Sequence, residues 1–437
     1  MKRNQAFRTF CRYISCNVLG MIGLSCYILA DTYFVAKAMG SNGLAALNFA
    51  IPAYTALTAA GLLLGVGGAT RATILRSRKC DTDASAVFPN ILGTGLVLSL
   101  AFAAVGIFGA PAVSQLLGAN GETLPLTIPY LRILMLYAPA FLTNQILLAF
   151  VRNDSNPQLA MISMLAGSFT NIILDYVFMF PLQMGMVGAA VATGFSPVVG
   201  LCVLSLHFFR KNRTLRFIRC SIRPKEIFRS IQLGISAWLT EISSGIVLTV
   251  FNLVILRISG NTGVAAYGIV ANIALVETAI YNGIAQGLQP LVSRAHGADE
   301  QHTLKQYRRD ALILACIVAA LLYAAVFAWS DPLIALFNTE GNAALIPYAR
   351  DGLRLYFPGF FFGGINIIFA AYLSASERPT DGFWISMTRG CLAILPLVLL
   401  LSWYFGMTGV WLAFPCCEAV TLGLTTFFLF HRKRKSI

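Results

Sequence analysis

The chain has 437 residues, of which 57% are hydrophobic and only 11% charged, and its mean hydropathy is +0.73. Soluble domains carry about 25% charged residues, so an ordinary soluble protein is excluded. A net charge of +14 would suggest nucleic acid in a soluble chain, but membrane proteins gather Lys and Arg in cytoplasmic loops, and the basic balance is read as topology.

The apolar residues come in runs of about 20, the length that crosses a hydrocarbon core roughly 30 Å thick. They do not alternate with polar residues, so helices are predicted and a barrel is not. The first run, near 14–36, lacks a small-residue cleavage site and continues into a charged turn, so no cleavable signal peptide is expected. Five more follow near 46–70, 88–110, 130–151, 159–180 and 187–209. After a basic stretch, a second set is predicted near 231–257, 264–290, 308–329, 347–372, 381–403 and 408–430. Pro139, Pro358 and Pro396 fall inside spans, as static kinks or moving hinges. The expected domains are a six-helix lobe over 1–209, a basic cytoplasmic linker over 210–230, and a second six-helix lobe with a basic tail over 231–437.

Twelve spans put both termini and the turns after even-numbered helices in one compartment. Of the 32 Lys and Arg residues, about 26 fall there, including Lys2, Arg3, Arg8, Arg12, Arg76, Arg78, Lys79, eight residues from Arg210 to Arg229, and the tail Arg432 to Lys435. Lys37, Arg132, Arg257, Arg350 and Arg354 lie near the opposite face, and Arg389 lies within a span. The basic side is therefore expected to be cytoplasmic. The ten cysteines are scattered, with no CxxC, and read as small core residues.

The chain matches itself at an offset of about 220 residues. GSNGLAALNFA (40–50) aligns with GNTGVAAYGIV (260–270), LYAPAF (136–141) with LYFPGF (355–360), and GMVG (185–188) with GMTG (406–409). Six helices per repeat is an even number, so both repeats enter the membrane in the same sense. The expected fold is all-α and integral to the membrane: twelve transmembrane helices in two six-helix lobes related by a pseudo-twofold along the membrane normal. A cleft between such lobes is where alternating access puts a substrate.

Several segments carry a family resemblance: DTYFVAKAMGSNGLAALNFAIP (31–52), LLGANGETLPLTIPYLRI (116–133), NIILDYVFMF (171–180) followed by GMVGAAVAT (185–193), and GLQPLVSRAHGADE (287–300). In order and spacing they resemble the multidrug and toxic compound extrusion (MATE) transporters over nearly the whole chain. The resemblance implies two bundles of six helices around a central cavity, and export of small molecules in exchange for a cation.

An ionisable side chain inserted at mid-membrane costs roughly 2.5–3.5 kcal/mol, and such residues usually face a cavity or a partner. Asp31 lies near the outer end of the first span; Asn171 and Asp175 share a face of the fifth at i, i+4; Thr193 returns to their depth on the sixth. Two readings stand: an interfacial cap with an ordinary polar pair, or a coupling-ion site. Two carboxylates at low dielectric cannot both stay charged cheaply, and a proton, or Na⁺ at Asp31, Asn171 and Asp175, would relieve the repulsion. The resemblance implies these same four residues as a cation site. The repeat puts Phe251 and Pro396 near the matching positions, so only the first half keeps the carboxylates.

The second half has Glu241, Glu277 and Glu418 near mid-depth. Either each pairs with Arg389 or a local amide, or they give the cavity a negative field for organic cations, with Trp238, Tyr281 and Phe361 available for cation–π contact. Glu241 resembles an acid of the sodium-coupled branch, but the tenth span offers only Asn366 where that branch has a second acid, which favours protons. Arg389 snorkels, neutralises a Glu, or faces the cavity and favours an anionic or zwitterionic substrate.

The expected function is a monomeric, cation-coupled antiporter in the plasma membrane, with no cofactor beyond the coupling ion and no nucleic-acid partner. A lipid-linked saccharide flippase would need a strongly cationic cavity, whereas the span interiors hold more acids than bases. A membrane enzyme is disfavoured because His207, His296, His302 and His431 lie near or beyond the cytoplasmic ends without HExxH spacing.

Overall fold

A computed structural model describes residues 3–211, 213–218, 221–337 and 343–431, and contains helices and turns but no strand among them. The basic tail from Arg432 to Lys435 lies outside the described residues. In chain order α1 covers Gln5–Gly40, α2 Asn42–Ser77, α3 Asp81–Leu116, α5 Pro157–Met179, α6 Gly185–Phe209, α7 Pro224–Gly260, α8 Thr262–Gly297 and α9 Gln301–Ala328. Two spans are broken: α4 is Leu124–Leu136 plus Ala138–Asn153, bent by 48°, and α10 is Leu345–Tyr356 plus Gly359–Ala375, bent by 50°. The last long helical stretch divides at Gly406 (φ 57°) into α11, 379–405, and α12, 407–431. The twelve helices form the two six-helix lobes that the repeat predicts.

Both bends have a cause in the sequence, because Pro139 sits in the first turn after one break and Pro358 at the other. A proline removes a helical hydrogen bond and clashes with the preceding turn. Helices α1 and α2 run 36 residues each, about 54 Å. Their ends therefore continue past the hydrocarbon, beyond the apolar runs that marked them. Helix α7 likewise starts within the basic stretch, with Pro224 in its first turn.

The repeat is written into the backbone angles. Left-handed φ values recur in pairs at Gly40 and Gly260, Lys79 and Asp299, Ser155 and Glu377, and Gly185 and Gly406. At Gly40 an added Cβ would meet nothing within 4 Å, so glycine serves the φ of 65° there and not the space.

The lobes join at the basic face through small residues. A Cβ on Gly67 of α2 would lie 1.9 Å from the Ser230 carbonyl oxygen of α7, and one on Gly234 would lie 2.0 Å from that of Leu63. The repeat-related crossing brings Gly283 and Gly287 of α8 onto the backbone of α1 at Val18 and Ile14. Glycines let helix backbones touch where lipid supplies no hydrophobic drive between helices.

Charged groups complete the closure. Arg71 Nε contacts Glu226 Oε2 at 2.7 Å, and its NH1 reaches Glu377 Oε1 at 3.2 Å. Glu377 also pairs with Arg78 and, at 3.3 Å, with His296. At the repeat-related position, Arg294 donates to the neutral Ser155 Oγ at 2.9 Å. The two halves of the latch therefore differ in charge.

The hydrogen bond from His296, against the opposing effect of burial and with help from Arg78, holds the Glu377 carboxyl down at about 2. A depressed carboxyl contributes stability that is complete above its ordinary value of 4.5 and is lost as the pH falls through about 2. The Glu377 carboxyl thus stays ionised across physiological pH. Replacing Glu377 by Gln should weaken closure at the basic face by about 1 kcal/mol, roughly fivefold in population. Pulsed dipolar distances between labels on the two lobes should lengthen in Glu377→Gln; unchanged distances in the variant would contradict the latch.

Candidate functional site

Helix α5 builds the first-lobe site on a stripe of small buried residues, Ala160, Ser163, Gly167, Asn171 and Asp175. A Cβ on Gly167 would lie 3.0 Å from the Ser196 carbonyl oxygen of α6, and one on Gly23 of α1 would lie 2.5 Å from Leu165. Close packing of α1, α5 and α6 leaves no room for water-sized spacing between them. It therefore forces the polar groups one or two turns further along to face one another.

Those groups are Asp31, Asn171, Asp175 and Thr193, exposed by 7, 0, 0 and 4%. The Asp31 and Asp175 carboxyls lie close enough for each to act on the other's charge. Asn171 Nδ2 donates to Thr193 Oγ1 at a long 3.4 Å. Asp31 Oδ1, both Asp175 oxygens and Asn171 Oδ1 have no donor among the described residues. Buried acceptors normally find a partner, and a charged one left without costs several kcal/mol. The four predicted residues thus come together as a nest of hard oxygen atoms, a donor set chemically suited to a proton or a hard cation.

Three tyrosines that the sequence reading did not single out complete the surroundings. Tyr130, on the first part of α4, faces Thr193 and lies close enough to Asp31 and Asp175 to interact electrostatically with both. Tyr27, one turn before Asp31 on α1, shares a 2.6 Å hydrogen bond with Tyr54 of α2. Tyr54 lines the central cavity. A hydrogen-bonded pair of phenols therefore links the surroundings of Asp31 to the cavity wall.

That cavity lies between the lobes, lined by residues of both, with a volume of about 160 Å³. Among its lining residues only two are charged, Glu241 of α7 and Arg152 at the end of α4. Of the residues expected there, Glu241 alone is on the wall. Glu277 is buried within the second lobe, 3% exposed, with Oε2 lacking a partner among the described residues. Tyr281 is fully buried and stacked on Phe360, Phe361 packs edge-on to Tyr323, and Trp238 stands on α7 off the wall. The expected cation–π wall is not found there: Tyr281 and Phe361 belong to the second lobe's core, and Trp238 is half-buried on α7.

Arg389, Glu418 and Asn366 also leave the cavity, because they satisfy one another. Arg389 NH2 contacts Glu418 Oε1 at 2.6 Å, Asn366 Nδ2 donates to Glu418 Oε2 at 2.8 Å, and Thr425 Oγ1 donates to Asn366 Oδ1 at 3.0 Å. A π turn over Thr388–Leu392 rotates Arg389 into this network. Of the open readings for Arg389, neutralisation of a Glu is the one realised.

Arg152 was counted among cytoplasmic cations, being one residue past its predicted span. It is instead 1% exposed, with NH1 donating to Asn17 Oδ1 at 2.7 Å and to Gln286 Oε1 of the opposite lobe at 2.6 Å. Just beyond it, His207 at 2.8 Å and the Thr214 and Leu215 amides hold the Asp154 carboxyl below its usual range, although burial opposes them.

Breaking the Arg389–Glu418 pair by Glu418→Ala strands a buried guanidinium, which typically costs about 3–5 kcal/mol. Thermal unfolding in detergent should show a clear drop in Tm for Glu418→Ala and partial recovery in the double variant Arg389→Met with Glu418→Met. A single variant as stable as the wild type would contradict the network.

A sequence profile of the MatE family matches residues 17–177 and 237–399, most of the chain. The multidrug export protein MepA of Staphylococcus saprophyticus is 28% identical over 411 residues, covering 94% of this chain and 90% of that protein. MepA of Staphylococcus haemolyticus is 27% identical over 414 residues, with the same coverage. Among solved structures, the MATE multidrug transporter DinF-BH superposes with a TM-score of 0.89 at 25% identity, covering 97% of this chain and 95% of that one.

Proposed function

The chain belongs to the MatE family, the multidrug and toxic compound extrusion transporters, and from that premise we propose that it exports small organic compounds bearing a cationic group, in exchange for protons bound at Asp31 and Asp175. It is a membrane transporter, not an enzyme. The observation that carries the coupling is the facing pair of buried carboxyls with no protein donor for three of their four oxygens.

Two adjacent carboxylates in a dry lobe hold one proton far more cheaply than two negative charges. In the proposed cycle, cargo enters from the basic, cytoplasmic side and meets Glu241. The lobes then rock to open outward, and a proton arriving from outside at the Asp31–Asp175 pair promotes release. The Tyr27–Tyr54 bond supports communication between the two places, because protonation at Asp31 alters the field one turn away at a side chain that touches cargo. One charge moving inward across about 100 mV supplies roughly 2.3 kcal/mol, and about 1.4 kcal/mol already corresponds to tenfold accumulation.

Protons are favoured over Na⁺ because the second part of α10, Gly359–Ala375, holds no acid, and its Asn366 is occupied with Glu418. The oxygen nest also suits Na⁺ chemically, so the two ions are separated by experiment. The names of the MepA proteins support multidrug export, and the basic balance supports a cytoplasmic-membrane protein with both termini inside. The flippase reading is weakened by the cavity itself, whose one arginine is matched by one glutamate.

Reconstituted in proteoliposomes, the wild type should drive tetraphenylphosphonium transport with an imposed pH gradient and not with a Na⁺ gradient alone. Asp31→Asn should lose pH-driven transport at least tenfold. Fully proton-coupled transport by Asp31→Asn would sink the assignment.

A further inference from the structure

The basic stretch between α6 and α7 is fastened to the first lobe at two places. Asp154, just past the end of α4, accepts the Thr214 and Leu215 amides at 2.9 and 3.1 Å, and Leu215 packs with Phe88 and Phe150 in the first-lobe core. Further along, Asn90 Oδ1 of α3 accepts the Arg223 amide at 2.9 Å. The stretch is therefore a strap laid across the basic end of the first lobe, and the side chains it leaves exposed are displayed from a fixed backbone. Such a surface loses little conformational freedom when it binds.

Its cations fall into two groups. Arg213 donates to the Phe208 carbonyl, Arg223 pairs with Asp83, and Arg229 lies 3.5 Å from Glu226. Lys211, Arg216 and Lys225 are exposed and have no hydrogen bond or ion pair among the described residues. Between these free cations the strap shows large apolar side chains. Phe217 rests on Phe88 and Phe208, with ring centroids 5.2 and 4.9 Å away, yet stays 64% exposed, and Ile222 is 80% exposed. Water suits the cations and not the apolar groups, hydrocarbon the reverse, and the headgroup layer of a bilayer suits both. The depth agrees. Helix α6 ends at Phe209, and Phe228 stands three residues before the apolar run of α7 near 231, about 5 Å along the helix. One headgroup layer is roughly 5–8 Å thick, so both ends of the strap enter it.

We propose that the strap docks on anionic phospholipid of the leaflet at the basic face, with headgroup phosphates on Lys211, Arg216 and Lys225 and the acyl boundary against Phe217 and Phe228. Juxtamembrane cations are drawn to anionic headgroups, and the fold spends none of these three elsewhere. Zwitterionic headgroups carry no net charge and give the cations no comparable attraction. The docking involves neither the central cavity nor the Asp31–Asp175 pair, so it stands apart from the cargo and coupling-ion sites.

Native mass spectrometry of the full chain, released from micelles doped with equal amounts of phosphatidylglycerol and phosphatidylcholine, counts the lipid that stays bound. Two variants remove the same charge: Lys211→Gln with Arg216→Gln and Lys225→Gln on the strap, and Arg8→Gln with Lys79→Gln and Lys305→Gln at exposed positions elsewhere on the basic face. The wild type should retain phosphatidylglycerol over phosphatidylcholine by roughly fivefold or more. The strap variant should lose most of that preference with an unchanged Tm in detergent, and the control variant should keep it. A wild type without the preference would overturn the proposal. Equal losses in the two variants, the mark of diffuse charge, would do the same, as would a lowered Tm in the strap variant, the mark of a structural role. A dimer that only the strap variant loses, with its lipid count unchanged, would give this face to a second copy of the chain and overturn the proposal as well.

Discussion

A carboxylate or guanidinium buried in a helical bundle within lipid has no water to stabilise its charge, and most of this architecture follows from how each such group is accommodated. Three solutions appear. Arg389 and Glu418 neutralise each other inside the second lobe. Arg71, Arg78, Glu226 and Glu377 pair across the lobes at the basic face, where partial exposure softens the cost. Asp31 and Asp175 carry like charge, and three of their four oxygens have no donor among the described residues, the arrangement behind the proposed coupling. A site that needs an ion to be comfortable is a site that can sense one.

The repeat explains why the halves are specialised. Both lobes inherit the same bent fourth span, the same left-handed residues at turns and the same glycine crossings. On that common frame the first half carries the carboxylate pair, while Phe251 of the second half is a fully buried core ring stacked on Tyr267. The latch is divided in the same way, with a charged hub at Glu377 and a neutral hydroxyl at Ser155. A pseudo-symmetric hinge with unequal sides gives rocking motion a place to be biased without disturbing the crossings that both halves share.

Much of this was legible in the sequence, and the failures have physical reasons. Depth can be counted along a helix, so Asp31, Asn171, Asp175 and Thr193 were found by residue arithmetic as well as by resemblance. The direction a side chain faces cannot be counted when a helix is apolar all round, because no stripe marks the core. That is why Tyr281, Phe361 and Trp238 were expected on the cavity wall and are not there. Arg389 was visible as a buried cation, but the π turn that aims it at Glu418 leaves no signature in composition. Arg152 was hidden by its place at a span's end, where a cation normally reaches cytoplasmic water; only the fold shows the opposite lobe closing over it. Tyr130 and Tyr27 were not singled out, since a phenol's need for a polar partner is a weak signal amid 31 phenylalanines.

The central claim is that cargo and coupling ion compete through the Asp31–Asp175 pair. Proton release on cargo binding tests it most directly. Tetraphenylphosphonium added to the purified protein in weakly buffered solution near neutral pH should release close to one proton per cargo bound in the wild type and none in Asp175→Asn at equal occupancy. Release of the same number of protons by Asp175→Asn would contradict the account.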